Sequence, residues 1–336
     1  MTYARSEIVD SEEVSTYHCI SRCVRRAFLC GKDPVSSQSF EHRREWIRGR
    51  LSTLVEIFAI EVIAYAAMSN HLHSLIRTRP DLSDKWRAEE VAVRWRKLFP
   101  LRRINGKPAK PNKEEISAIV GDKEIVKLYR ERLSSISWFN RCLNENIARR
   151  ANAEDECTGR FWEGRFKCQR VLDVAGILAC SVYIDLNPVR AGIAETPEES
   201  DHTSVQDRIH EKINAAGGKV PARCRSWPKV PLLSISAATD KEVTLKEYLE
   251  LVDETGRLIR DGKGSISDEL SPILTRLKIK PEEWVSATKG FKGEFRRVVG
   301  AADLMREAAA KIQKCWFHGT SAAERIFGAS RCAAKS

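Results

Sequence analysis

AIEVIAYAAMSNHLHSLIRT, residues 59–78, predicts two antiparallel β-strands joined by a tight turn. Its first half alternates apolar and small side chains, and Ser69 and Asn70 supply a polar turn before the second strand. A further strand is predicted at residues 15–22, and residues 38–57 carry apolar side chains at helical spacing. The chain therefore opens with the order β-α-β-β.

The later elements extend this order toward an α+β fold. The sequence predicts a helix at 83–98, a loop at 100–113, one long or two short helices over 123–152, a strand at 161–172 and a helix from the N-cap Asp173 to about Leu186. We therefore predict a ferredoxin-like antiparallel sheet with helices on one face. The Gly- and Pro-rich residues 216–231 predict a linker between a first domain, 1–215, and a mostly helical C-terminal domain of unknown role, 232–336.

Composition and charge indicate which kind of molecule the protein binds. The chain has 336 residues, of which 42% are hydrophobic and 31% charged, and no apolar run approaches the roughly 18–20 residues of a membrane span. The N-terminal residues are polar and unlike a signal peptide, so we expect a cytoplasmic protein with no membrane partner. The formal net charge of +11 favours nucleic acid as a partner, although a basic surface that only keeps the protein soluble fits the same number.

The ten cysteines do not indicate a disulfide framework. None forms a C-x-x-C pair, and without a secretory signal they are best interpreted as reduced thiols. Cys19 and Cys23 lie four residues apart beside His18, which is a weak pattern for a zinc site.

The histidine pair in the second strand of the hairpin is the first candidate site. Because a strand has a side-chain period of two, His71 and His73 share one face and Leu72 points to the other. Two adjacent imidazoles can bind one divalent metal ion, and a third ligand from elsewhere would complete an open, catalytic site. The alternative is a polar face on an edge strand.

ACSVYIDLNPVRAGI, residues 179–193, holds the second candidate. Tyr183 and Asn187 are four residues apart and therefore share one face of a helix. A phenol is a poor nucleophile unless a metal-polarised electrophile lies beside it, and an asparagine oxygen is a reasonable metal ligand. The alternative is a half-buried tyrosine and an asparagine that caps the helix before Pro188.

Together, HLH at 71–73 and YIDLNPVRAG at 183–192 resemble the single-tyrosine HUH transposases of the insertion-sequence 200 type. The resemblance is greatest to the branch associated with repetitive extragenic palindromes (REP). It spans roughly residues 14–197 and implies the HUH nuclease fold. Three further stretches are similar to that family: YHCISRCVRRAFLCG at 17–31, ISWFNRCLNENIARR at 136–150 and GRFWEGRFKCQ at 159–169.

The resemblance implies an activity and a role for each candidate residue. His71 and His73 would bind Mg²⁺ or Mn²⁺, with Asn187 as the third ligand and Asp185 as the alternative. Tyr183 would attack a phosphodiester and form a 5′-phosphotyrosine. The implied protein is a transposase that cleaves and rejoins single-stranded or hairpin DNA, as a monomer or a homodimer, in association with the nucleoid.

Two other functions remain open from the sequence. One is a domesticated protein that binds hairpin DNA and has a regulatory or architectural role in the host. The other is a related HUH enzyme of replication or plasmid transfer, although the NPVRAG ending at 187–192 is more similar to the transposase branch.

Basic residues suited to DNA contacts cluster in two stretches. Between Arg94 and Lys113 there are eight Lys or Arg residues and no acid, which suits backbone phosphates but also a solvated loop. At 160–165, arginines accompany Phe161 and Trp162, which suits stacking on unpaired bases but also a strand packed into the core. The predicted DNA-contacting residues are Arg25, Arg26, Arg94, Arg96, Lys97, Arg102, Arg103, Arg160 and Arg165.

Overall fold

The structure, a computed structural model, describes residues 8–24, 29–32, 37–261, 269, 271–277 and 279–327. Seven strands lie in these ranges: β1 (Ser15–Arg22), β2 (Ile60–Ala67), β3 (His71–Thr78), β4 (Arg103–Ile104), β5 (Lys107–Pro108), β6 (Lys167–Val171) and β7 (Val298–Val299). Five of them form one sheet in the order β2-β3-β1-β6-β7, and β4 pairs with β5 in a separate hairpin. Neighbours in the large sheet are antiparallel except β6 and β7, which are parallel.

Helices make up most of the rest of the described chain. They are α1 (Arg43–Ile57), α2 (Pro80–Ser83), α3 (Ala88–Leu98), α4 (Lys113–Val120), α5 (Lys123–Ser134), α6 (Ile136–Glu154), α7 (Val174–Asp185), α8 (Asn187–Arg190), α9 (Ser204–Ala215), α10 (Ile235–Ala238), α11 (Leu245–Asp261), α12 (Ser271–Arg276), α13 (Pro281–Glu294), α14 (Ala302–Lys311) and α15 (Thr320–Phe327). No helix in the described parts of the chain is long and apolar enough to cross a membrane.

Helices cover both faces of the large sheet. On one face α1, α3 and α6 pack around a core that contains Leu51, Trp95 and Phe139. On the other face α7 packs against β2 and β3. The predicted α+β class is confirmed, but the expectation of helices on one face is corrected. β2 shows the reason, because all its side chains except the half-exposed Glu61 are buried, so both faces of the strand are covered.

The C-terminal helices share the core of α7. Trp284 and Phe291 of α13 belong to the same buried apolar cluster as the side chains of α7. β7 extends the sheet beside β6, where the backbone N–H of Leu172 donates to the carbonyl of Val299 over 2.8 Å. The division of the chain at 216–231 stays a prediction. The described residues after it are mostly helical, and many of their apolar side chains belong to the same buried cluster as α7.

Over 123–152 the chain forms two helices, one of the two predicted alternatives, because Ser135 has an extended backbone (ψ 122°) and caps the second of them. Other predicted elements differ in extent from the observed ones. The helix predicted at 83–98 begins at Ala88 as α3. The strand predicted at 161–172 is shortened to β6. The loop predicted at 100–113 contains the small β4–β5 hairpin.

His202 is a buried histidine outside the candidate site. It precedes α9 with φ 62°, and its ring centroid lies 4.0 Å from that of Trp227. Its Nδ1 has no hydrogen-bond partner among the described residues. Burial, followed by the charges of Arg44 and Arg48, lowers the pKa of His202 from 6.5 to about 3. The folded protein therefore binds this proton more weakly than the unfolded chain does.

Acid is expected to destabilise the protein partly through His202. A histidine whose pKa is depressed on folding contributes stability above pH 6.5 that is lost as the pH falls toward 3. His202→Asn, which does not titrate and tolerates positive φ, should remove up to about 1.4 kcal/mol of this loss per pH unit. Urea unfolding at pH 7.5 and 5.0 measures it, with His318→Asn at an exposed site as the control. An unchanged pH dependence in His202→Asn would contradict the prediction.

Candidate functional site

The two hairpin histidines lie on one face of an interior strand. β3 pairs with both β1 and β2, so it is not the edge strand of the alternative interpretation. The rings of His71 and His73 have centroids 4.7 Å apart, and His73 is only 2% exposed. Leu72, between them, is buried in the core on the opposite face. The placement is the one that the strand period predicts.

A third histidine, His18, packs against this pair. Its Nε2 lies 2.9 Å from Nδ1 of His73, and the two rings stack with centroids 5.1 Å apart. The register of β1 against β3 places Ile20 opposite His73, which brings His18 to the same face. The sequence showed His18 in a predicted strand, but only the pairing of β1 with β3 could reveal that the rings meet.

Hydrogen bonds determine where His18 and His73 carry their protons. The amide N–H of Gln169 donates to the carbonyl of Phe295 over 2.6 Å, so Oε1 of Gln169 accepts from Nδ1 of His18 over 2.7 Å. Nε2 of His18 is then an acceptor, and it receives the Nδ1 proton of His73. Nε2 of His73 is therefore its basic nitrogen.

His71 has a matching arrangement. Its Nδ1 lies 2.6 Å from Oδ1 of Asn70, which can only accept, so Nε2 of His71 is the basic nitrogen. Burial lowers the pKa of both His18 and His71 to about 4, and it lowers the pKa of His73 well below its usual value. All three imidazoles are therefore neutral near pH 7, which is the form that binds metal ions.

The donor set of the pair fits a metal ligand role. Each imidazole has a basic Nε2 and donates its other N–H to a neighbour, as metal-binding histidines commonly do. Among the described residues, no group of three or more His, Cys, Asp or Glu side chains could hold a metal ion. A third ligand from the described chain would have to be another kind of group, such as the amide of Asn187.

Tyr183 reaches the same site from α7. Its ring centroid lies 5.7 Å from that of His73 and 5.9 Å from that of His18, and the residue is 3% exposed. Burial raises the pKa of Tyr183, and the guanidinium of Arg190, 4.7 Å from the ring centroid, opposes that rise. The ring of Phe291 stacks on the phenol with centroids 4.9 Å apart.

Asn187 lies beside Tyr183. Its Nδ2 donates to the backbone carbonyl of Tyr183 over 2.9 Å, at the junction of α7 and α8. Its side chain is also close enough to the phenol to contribute to lowering its pKa. The four-residue spacing therefore places Asn187 beside Tyr183, as the sequence predicts, and Asn187 stays the candidate third ligand.

Asp185, the alternative third ligand, is hydrogen-bonded to residues of α9 and α11. A step of two residues turns a side chain by about 200° around a helix, so Asp185 leaves α7 on a different side from the phenol. It is fully buried and accepts hydrogen bonds from the backbone N–H of Val205 (3.0 Å), the hydroxyl of Tyr248 (2.5 Å) and the hydroxyl of Ser204. The carboxylate ties α7 to α9 and α11.

Removing this carboxylate should destabilise the protein. Asp185→Ala leaves three buried donors without their acceptor, and we expect a loss of about 2–4 kcal/mol in the free energy of unfolding. Chemical denaturation measures this, with the exposed Glu250→Ala on α11 as a control that stays within about 0.5 kcal/mol of wild type. A near-neutral Asp185→Ala would show that the network does not stabilise the fold.

Four of the predicted DNA-contacting residues either lie outside the described residues or have side chains held within the fold. Arg25 and Arg26 lie outside the described residues. Arg94 pairs with Glu90 over 2.9 Å and donates to two backbone carbonyls at the end of α1, so its guanidinium stabilises helix packing. Nε of Arg96 is buried with no hydrogen-bond partner among the described residues.

The remaining predicted basic residues are exposed. Lys97, Arg103 and Arg160 face solvent. Arg102 is also exposed, and its guanidinium pairs with the carboxylate of Glu115 over 2.6 Å. The β4–β5 hairpin lies between α3 and α4 in the chain, and these two helices pack on the face of the sheet opposite α7. The structure therefore does not bring this basic segment into contact with the phenol.

Arg165 borders an open groove beside α6. The groove has a volume of about 500 Å³ and is also lined by Trp138, Arg141 and Trp162. Phe161 is buried, as the core alternative predicts, whereas Trp162 is half-buried and faces the groove. The guanidinium of Arg141 lies 4.9 Å from the ring centroid of Trp138. Aromatic and guanidinium groups in one groove suit the stacking of unpaired bases.

Comparison with known proteins gives a similarity to a solved structure. No model of a protein family matches it, and no curated protein matches it. The chain is similar to the structure of a REP-associated tyrosine transposase bound to a REP hairpin, with 11% sequence identity and a TM-score of 0.38. The likeness covers 68% of this chain and 98% of that one.

Proposed function

We propose that this chain is a metal-dependent DNA endonuclease and strand transferase of the transposase type, which acts on single-stranded or hairpin DNA through Tyr183. The observation that supports this most directly is the convergence of Tyr183 with His71 and His73. A tyrosine beside two neutral imidazoles with basic Nε2 atoms is a set of groups suited to phosphodiester chemistry.

In this proposal Tyr183 is the nucleophile. Its oxygen attacks the phosphorus and forms a phosphorus–oxygen bond to the 5′ side of the break, while the phenolic proton passes to solvent water. The 3′ oxygen of the other side leaves and takes up a proton. The phosphotyrosine retains the energy of the phosphodiester. Attack by another 3′ hydroxyl therefore breaks the bond between phosphorus and Tyr183, returns a proton to the phenol oxygen and rejoins the strand without ATP.

His71, His73 and Asn187 would hold a divalent ion, Mg²⁺ or Mn²⁺. Such an ion, when bound, supplies Lewis-acid stabilisation of charge on the phosphate oxygens. His18 positions His73 through the hydrogen bond between their rings, and Gln169 positions His18 in turn. The groove with Trp138 and the exposed basic residues would bind the DNA beyond the cleaved bond.

A second candidate function is hairpin-DNA binding without cleavage, in a host regulatory or architectural role. It is favoured by the burial of Tyr183, which is 3% exposed and has Phe291 stacked on its ring. A phenol covered in this way must become accessible before it can attack DNA.

A gel assay for a covalent complex tests the proposed function. Purified protein is mixed with labelled hairpin oligonucleotides taken from the DNA beside its own gene, with Mn²⁺ or with EDTA. We expect a denaturant-resistant band of protein joined to DNA that forms only with the metal. Tight binding without such a band under any metal would support the second candidate and overturn the nuclease.

A further inference from the structure

Helix α13 belongs to the region for which the sequence predicts no role, yet it borders the candidate site. Phe291 stacks on Tyr183, and its ring centroid lies 6.2 Å from that of His18. The carbonyl of Phe295, one residue after the helix, accepts the hydrogen bond from Gln169 that orients His18. The C-terminal region therefore helps to determine both the packing of the phenol and the proton positions of the histidines.

Lys292, also in α13, adds a positive charge near the candidate site. It follows Phe291 directly, and its side chain is exposed rather than packed in the core. Its positive charge acts on all three histidines and contributes to lowering the pKa of each. Because Phe291 stacks on Tyr183 and Lys292 is the next residue, this positive charge can attract a phosphate group bound in front of Tyr183.

Three other basic side chains act on Lys292 through their positive charge and contribute to lowering its pKa. We call the four together the rim cluster: Arg22, Lys167, Arg190 and Lys292. The four side chains come from four elements, β1, β6, α8 and α13. Arg22 lies opposite His71 in the strand pairing, and the guanidinium of Arg190 lies over the ring of Tyr183. One acid, Glu163, lies beside the rim cluster, with its carboxylate 3.5 Å from the guanidinium of Arg22. Cations held together repel one another, and an anion among them relieves that repulsion.

We propose that the rim cluster is a phosphate-binding site that holds the DNA phosphate attacked by Tyr183, and that α13 completes the site by supplying Lys292. The proposal rests on the proposed function for the identity of the anion as a DNA phosphodiester. It assigns a binding role to a residue in the C-terminal region, which the resemblance at residues 14–197 does not reach.

The test compares three full-length variants with wild type. Lys292→Gln removes the charge, Lys292→Arg keeps it, and Lys280→Gln is the control. Lys280 is exposed and lies at the other end of α13, about 18 Å along the helix axis. Binding of a hairpin oligonucleotide with a single-stranded flank is measured by fluorescence anisotropy in EDTA over a range of salt concentrations. Adduct formation is measured separately with Mn²⁺.

We expect Lys292→Gln to weaken binding about tenfold and to reduce the slope of log Kd against log salt by about 0.7, the effect of one phosphate contact on a single strand. Adduct formation should fall by about 10- to 100-fold. Lys292→Arg should restore the salt slope, and Lys280→Gln should match wild type. A structural role alone would not change the salt slope.

The outcomes separate this inference from the proposed function. An unchanged slope and unchanged adduct rate in Lys292→Gln would overturn the phosphate site while the nuclease stands. A second outcome is that wild type binds the oligonucleotide and Lys292→Gln shows a reduced salt slope, but no protein forms an adduct. This result would support the phosphate site and overturn the proposed nuclease chemistry. A wild-type protein that binds no oligonucleotide would overturn both.

Discussion

Tyr183→Phe is expected to abolish the covalent protein–DNA adduct, with a loss of more than about 10³-fold, because no other group would form the bond to phosphorus. The substitution removes one oxygen and keeps the ring that packs against Phe291 and His73. Hairpin binding should therefore stay within about twofold of wild type, because phosphate and base contacts provide the affinity. Denaturing gels measure the adduct, and anisotropy measures the binding.

The matched control for this experiment is Tyr129→Phe. Tyr129 stacks on Trp95 with ring centroids 3.9 Å apart, in the core on the other face of the sheet, so its hydroxyl is remote from the candidate site. This variant should form adducts at the wild-type rate. If Tyr183→Phe still formed adducts, the nucleophile would be a different residue.

Replacing the histidine pair should remove metal-dependent cleavage. His71→Ala combined with His73→Ala removes both proposed nitrogen ligands, and we expect at least a 100-fold loss, approximately the effect of adding a chelator to wild type. Titration calorimetry with Mn²⁺ gives an independent measurement, because the double variant should show no specific metal binding. His318→Ala, at an exposed site on the C-terminal side, is the control for histidine loss.

Folding has to be checked separately in this variant. His73 is buried and hydrogen-bonded to His18, so its removal also disturbs the core. His71 is only half-buried, and His71→Ala alone should stay folded while losing most of the Mn²⁺ affinity. Cleavage by the double variant in excess chelator, at the wild-type rate, would exclude the metal model.

The C-terminal region matters for how these experiments are designed. Phe291 covers the phenol and Phe295 ends the hydrogen-bond chain to His73, so a truncation before α13 would alter the site itself. A loss of activity in such a fragment would not show that the first 215 residues lack the chemistry. Point variants in the full chain avoid this ambiguity.

Local patterns in the sequence determined much of the site. The strand period placed His71 and His73 on one face, and the four-residue spacing placed Asn187 beside Tyr183. Asp173 caps α7 as predicted, accepting from the N–H of Gly176 over 2.7 Å. These features depend on neighbours within a turn or a strand, so the residues near each position carry the information.

Only the tertiary structure decided which distant segments meet at those residues. His18 joins the pair through the register of β1 against β3, and Asp185 is drawn into bonds with α9 and α11. Phe291 reaches Tyr183 from more than 100 residues away because α13 buries its apolar face against α7. Such contacts have no local period: they follow from which apolar surfaces exclude water together, and that is a property of the whole packed chain.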